Sequence, residues 1–201
     1  MEFAEVVRRR RMVRRYSHAP VDPAAVERIV DAARAAPSAG FSQGQRFVVL
    51  TDPALRRQVA DEACDEQAYV ARGFHPWISG APVLIVPCVR PDDYRERYAE
   101  PDKAGSAAPD DWEVPFWWVD GGAALMALLL AAVDEQLAAG FLAADGAALR
   151  RLLAIPPDVA PLGVVTLGHP AADRRSSSLD RGRRPRTTVV HHDRWDRARG
   201  S

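Results

Sequence analysis

Residues 117–139 read Trp-Trp-Val-Asp-Gly-Gly-Ala-Ala-Leu-Met-Ala-Leu-Leu-Leu-Ala-Ala-Val-Asp-Glu-Gln-Leu-Ala-Ala. Read as one helix, this stretch is apolar on nearly every face, so it must be covered all round, at a domain centre or between subunits. A helix at the core of a homodimer is the economical reading. Its fully apolar run, 121–133, is bounded by Asp120 and Asp134. At about 20 residues per bilayer crossing that run is too short to span a membrane, and a soluble protein is expected.

Working outward, residues 90–115 form a polar insert containing Tyr94, Arg95, Arg97, Tyr98 and Trp112, long enough for a lid or binding loop. Upstream of it, Val83-Leu84-Ile85-Val86 reads as a buried strand and Arg46-Phe47-Val48-Val49-Leu50 as another. Asp22-Pro23 and Asp52-Pro53 are helix starts, an N-cap followed by proline at the first helical position. The first opens an amphipathic helix with Val26, Ile29, Val30 and Ala33 on one face; the second opens a helix over 54–71. Phe3, Val6 and Val7 mark a helix at the start of the chain. Downstream, residues 146–153 suggest a short helix and 163–168 a third strand, followed by an extension, 171–201, whose Val189, Val190 and Trp195 need a surface to cover. No repeat or linker divides the chain, so a single domain over 1–201 is expected. Its class is α+β, a small mixed sheet with helices around it.

The 201 residues carry 27 Lys+Arg against 27 Asp+Glu, but that balance hides two basic ends. Arg8, Arg9, Arg10, Arg11, Arg14 and Arg15 crowd the first; Arg174, Arg175, Arg181, Arg183, Arg184 and Arg186 crowd the second. Lys103 is the only lysine, so nearly every cation is a guanidinium, suited to bidentate phosphate binding and unable to act as a base. Neutral net charge and the lack of a reading module argue against nucleic-acid binding. The N-terminus has no basic-apolar-small order of a secretory signal, so a cytoplasmic setting is expected, with Cys64 and Cys88 as buried thiols rather than a disulfide or metal pair.

No GxGxxG follows a strand, no GxxxxGK[ST] occurs, the five histidines lack zinc spacing and there is no GxSxG elbow. No metal site and no catalytic side-chain acid or base is expected. Arginine clusters and a loop of small hydroxyls and amides remain, a combination suited to a phosphorylated cofactor that does redox work itself.

Four blocks in order carry a resemblance to the FMN-dependent nitroreductases. They are Arg10-Arg11-Met12-Val13-Arg14-Arg15-Tyr16, Ala36-Pro37-Ser38-Ala39-Gly40-Phe41-Ser42-Gln43, the apolar helix from Asp120 running into Leu137-Ala138-Ala139-Gly140, and Leu167-Gly168-His169-Pro170 followed by Arg181-Gly182-Arg183-Arg184-Pro185. The resemblance implies an intertwined α+β homodimer with FMN at the interface, NADH or NADPH as donor, and the C-terminal extension wrapping the partner. It places Arg10, Arg181 and Arg183 on the FMN phosphate and Arg14 at the flavin pyrimidine edge, with Arg11 and Met12 in the same segment. It also implies that Pro37, Ser38, Phe41 and Gln43 reach the flavin from the partner subunit, and that Gly146, after Asp145, presents a backbone N–H to flavin N5. By the residues alone, the arginines also suit a solvated or ion-paired surface, and Gln43 suits plain loop structure.

This chain departs from the family pattern in two places. Met12 stands where the family has Ser, and Phe41 where it has Asn; the chain contains no asparagine. Phe41 cannot hydrogen-bond a flavin carbonyl, but it can stack on the ring or edge it. The implied activity is ping-pong hydride transfer from NAD(P)H through flavin N5 to a nitroaromatic, quinone or related acceptor. The alternatives are a specialised flavoenzyme of the same family (biosynthetic dehydrogenation, dehalogenation or flavin fragmentation) and a non-catalytic FMN-binding protein.

Overall fold

The computed structural model describes residues 1–173 and 176–195; Arg174, Arg175 and residues 196–201 of the extension lie outside them. Helix α1 (Phe3–Arg9) carries Glu5, which pairs with Arg8 and Arg9 one turn on. In α2 (Pro23–Arg34) the Asp22 carboxylate accepts from Ala24 N–H at 3.0 Å, satisfying one orphan donor of the first turn. The buried face of α2 is Ala25, Val26, Ile29 and Ala33. A single 3-10 turn, Ala39–Phe41, leads into β1 (Gln45–Leu50).

The helix expected over 54–71 is broken in two. Helix α3 (Pro53–Gln58) widens into a π turn, Val59–Ala63. Asp65 then takes φ +50° and caps α4 (Glu66–Ala71) by accepting from Ala68 N–H at 3.3 Å. The chain continues through β2 (Val83–Val89), α5 (Pro91–Tyr98), α6 (Phe116–Asp134), β3 (Ala138–Leu142), α7 (Gly146–Leu153), β4 (Ala160–Pro161) and β5 (Val164–Gly168).

Two further expectations change. The apolar helix, read as running to 139, is shorter: α6 stops at Asp134, Gln136 turns the chain at φ +60°, and Ala138–Leu142 enter the sheet as β3. The insert is folded rather than a loop. It holds α5, with Pro91 at its first position, acidic residues in the first turn and Arg95 and Arg97 in the last, the order that complements the helix dipole. Arg95 pairs with Asp110 and Arg97 with Asp102, tying the insert to itself.

The sheet runs β1-β2-β5-β3, with β4 beside β2. Every described pairing is antiparallel, so the mixed sheet expected from the sequence is antiparallel among the described strands. Strand β2 is buried along its whole length, and successive residues face opposite layers. Leu84, Val86 and Cys88 join Leu50, Trp77, Ile78 and Leu149 on one side. Val83 and Ile85 join Ile29, Leu128 and Leu129 on the other, where α2 and α6 lie. Complete burial of a residue such as Leu128 contributes about 1.5–3 kcal/mol.

By length and composition α6 is long enough to cross a bilayer, because it gathers Phe116–Val119 ahead of the 121–133 run. Its inner stripe, Trp117, Asp120, Gly121, Ala124, Leu128 and Ala132, is instead buried against this chain's own core. Its outer stripe is not: Phe116, Trp118, Val119 and Met126 are exposed, as are Phe3 and Val7 of α1.

Candidate functional site

The two basic ends meet because residues 13–17 run antiparallel to residues 168–173. Ser17 N–H donates to the His169 carbonyl at 2.9 Å and Ala171 N–H to that of Arg15 at 3.0 Å, flanking a bridge between Tyr16 and Pro170. Tyr16 anchors this seam. Its hydroxyl donates to the Val13 carbonyl at 3.0 Å and lies 2.7 Å from Thr166 Oγ1 on β5. Burial pushes the phenol above its ordinary pKa, so it stays neutral.

Beside the seam is a cavity of about 600 Å³ lined by Arg10, Arg11, Met12, Arg14, Asp173, Ser176, Ser178, Leu179 and Arg183. A volume of this size suits a cofactor. Arg8, Arg9, Arg28, Arg34, Arg46, Arg90, Arg95, Arg97 and Arg151 are all ion-paired elsewhere on the molecule. Among the described residues, none of Arg10, Arg11, Arg14 and Arg183 is. Asp173 accepts from the Arg14 backbone N–H at 3.0 Å, so its carboxylate bonds the main chain rather than a guanidinium. The Arg14 guanidinium lies 5.8 Å from the centroids of both Phe74 and Trp77, an aromatic seat for a planar cation. Among the described residues these four guanidiniums lack an acidic ion-pair partner around one hollow, and serine hydroxyls on the same wall add donors, an arrangement whose chemistry suits an anion such as a phosphate.

Of the residues expected at the site, Arg10, Arg11, Met12, Arg14 and Arg183 come together here. Arg181 lies in the 3-10 turn Ser177–Arg181, whose neighbours Ser178 and Leu179 line the cavity while Arg181 does not. Pro37, Ser38, Phe41 and Gln43 do not line it within one chain; Phe41 is 73% exposed and Gln43 is exposed. Gly146 opens α7, and its neighbour Asp145 accepts from Ala147 and Ala148 N–H at 2.8 and 3.2 Å, so the acidic-Gly pair forms a helix cap here. Sequence reasoning missed Asp173, Ser176, Ser178, Phe74 and Trp77. The Ser176-Ser177-Ser178 run ahead of the basic block was the available signal.

Cys64 and Cys88 are buried free thiols as expected. Burial pushes them up to about 12 and about 11 respectively. Among the described residues no cluster of His, Cys, Asp or Glu could hold a metal ion.

Comparison with known proteins gives a consistent picture. The chain matches the family model described as Nitroreductase family over residues 7–169. It is 26% identical over 202 residues to a Bacillus subtilis protein named FMN reductase [NAD(P)H], covering 92% of this chain and 71% of that one. An Archaeoglobus fulgidus protein assigned as an NADH dehydrogenase/NAD(P)H nitroreductase is 26% identical over 199 residues, 96% of this chain and 99% of the other. Among solved structures, a Desulfovibrio desulfuricans protein assigned as a nitroreductase, in complex with FMN, superposes with a TM-score of 0.70 at 26% identity over 98% of this chain and 99% of that one.

Proposed function

Because this chain belongs to the nitroreductase family and is similar to a protein named FMN reductase [NAD(P)H], we propose that it is an FMN-dependent oxidoreductase reducing nitroaromatic, quinone or related acceptors in two half-reactions at one slot. The observation that carries this reading is the cavity where Arg10, Arg11, Arg14 and Arg183 converge, none of them ion-paired among the described residues. Arg10 and Arg183 hold the cofactor phosphate there, each bond charge-assisted and so about twice as strong as a neutral one. Arg14, seated on Phe74 and Trp77, presents a fixed positive charge to the pyrimidine edge, where negative charge accumulates on reduction. FMN, when bound, supplies the atom that accepts and passes on hydride, so the chain contributes binding, orientation and electrostatics rather than an acid or base.

The working unit in this reading is a homodimer. The exposed stripe of α6, Phe116, Trp118, Val119 and Met126, together with Phe3 and Val7, is an apolar surface larger than scattered single residues. A second copy covers it and brings Pro37, Ser38, Phe41 and Gln43 to the flavin. Phe41 and Met12 in place of hydrogen-bonding residues favour a specialised acceptor within this chemistry. Anaerobic addition of NADH or NADPH to the FMN-loaded protein tests the proposal: flavin absorbance should bleach and return when a quinone is added. A bound flavin that neither nucleotide bleaches overturns the NAD(P)H-oxidoreductase reading in favour of a specialised flavoenzyme or a binding protein.

A further inference from the structure

We propose that Asp120 is a positioning residue for the acceptor slot: with α5 of the insert, it holds the 38–44 loop in the conformation that projects Phe41 outward. This rests on the reading of that loop as part of the flavin site.

Asp120 is one of the few buried charged side chains among the described residues, 7% exposed, on the inner face of α6. Its Oδ2 accepts two hydrogen bonds, from Ala39 N–H at 2.9 Å and from the Tyr94 hydroxyl at 2.8 Å. One oxygen thereby joins α6, the loop and α5. The loop needs such a hold, because three of its residues sit in the left-handed region: Gly40 at φ +62°, Phe41 at +61° and Gln43 at +53°. Bulky side chains persist there only where their surroundings over-determine the backbone.

The insert provides the rest of the grip. Arg97 Nε donates to the Gly40 carbonyl at 2.8 Å, and Arg90 N–H to the Gly44 carbonyl at 2.8 Å. A Cβ at Gly40 would come within 2.8 Å of the Tyr98 ring, and one at Gly44 would overlap the Tyr94 ring, so α5 lies directly on the loop backbone. Within the loop, Ser38 Oγ accepts from Gln43 N–H at 2.8 Å and Ser42 Oγ donates to the Ala39 carbonyl at 2.6 Å. The product of this framework is a phenyl ring held 73% exposed. A clamp that keeps an apolar side chain out of its own core serves presentation of that side chain, and the polar insert is the buttress of the slot.

The test compares Asp120→Ala, Asp120→Asn and Tyr94→Phe. Amide exchange of residues 39–43 is measured in FMN-free protein, and the ratio of kcat/KM for a bulky over a small quinone in FMN-loaded enzyme. Asp120→Ala should speed loop exchange roughly tenfold or more, as for loss of a hydrogen bond to a charged group. It should also shift the quinone ratio in the same direction as Phe41→Asn, with no further shift in the double variant. Asp120→Asn, whose amide oxygen can accept both bonds, should restore most of the protection and the ratio. If Asp120→Ala does not fold, Tyr94→Phe, which removes one of the two donors, is read in the same two assays. Unchanged loop exchange with only a lower Tm overturns the proposal, and so does faster exchange with an unchanged ratio, or a ratio shift additive with that of Phe41→Asn. If wild-type protein takes up no FMN, the flavin reading fails, while loop exchange still reports whether the clamp exists.

Discussion

Replacing Phe41 with asparagine should leave the fold intact, or slightly more stable, while widening the range of acceptors. The ring is 73% exposed, so truncation forfeits roughly a quarter of the about 1.5–3 kcal/mol that full burial of a phenylalanine contributes, or about 0.5 kcal/mol. Against this, Phe41 sits at φ +61°, where a bulky L-residue costs about 1–2 kcal/mol and asparagine is tolerated because its short side chain bonds locally. The net change is about 0.5–1.5 kcal/mol in favour of the variant, a Tm rise of about 1–6 °C for a chain of this size. Thermal melts of FMN-free protein give the first quantity, and steady-state kinetics with small and bulky quinones the second, where kcat/KM for the bulky acceptor should rise. A Tm fall of more than about 5 °C with an unchanged acceptor ranking would refute the reasoning and make Phe41 a packing anchor.

Arg10→Ala and Arg183→Ala should each weaken FMN binding tenfold to a hundredfold, about 1.5–3 kcal/mol for a charge-assisted contact. Arg9→Ala, whose guanidinium pairs with Glu5 on the surface, should stay within about 0.5 kcal/mol; equal dissociation constants for all three contradict the placement. Sedimentation should find a dimer at micromolar concentration, and a stable folded monomer would show that the outer face of α6 tolerates water. Cys64 and Cys88 should resist thiol reagents at pH 8 until the protein unfolds, since burial raises both thiols to about 12 and about 11. Their raised values mean that the stability linked to them is in place below pH 9 and is lost as pH rises toward those values; labelling of native protein at the rate of a free thiol contradicts this.

The parts of the fold written in local chemistry were legible. Asp22-Pro23 specifies the start of α2 by a side-chain cap and a pre-set φ, and the unbroken apolar run of β2 specifies a strand covered on both faces. Where the signal failed, a left-handed turn used a residue other than glycine. Gln136 ends α6 and Asp65 splits the 54–71 helix, both at positive φ. Ala138 and Ala139 then enter a strand despite their helical preference, because pairing with Gly168 and Leu167 decides their conformation. At the site, the arginine blocks were readable as anion-binding chemistry, but their convergence was not. It depends on the 13–17 and 168–173 segments pairing across most of the chain, a contact that no local pattern encodes. The role of the insert was hidden for the same reason: Asp120, Tyr94 and Ala39 are far apart in sequence and meet only in the fold.

The central claim, that the arginine cavity holds the phosphate of FMN, is tested most directly by titrating FMN-free protein with FMN and with riboflavin, which differ only in that phosphate. Two or more charge-assisted contacts predict that FMN binds at least about a hundredfold more tightly, with the difference shrinking as salt screens the cavity's outer arginines. Equal dissociation constants for the two flavins, at low salt and high, would contradict it.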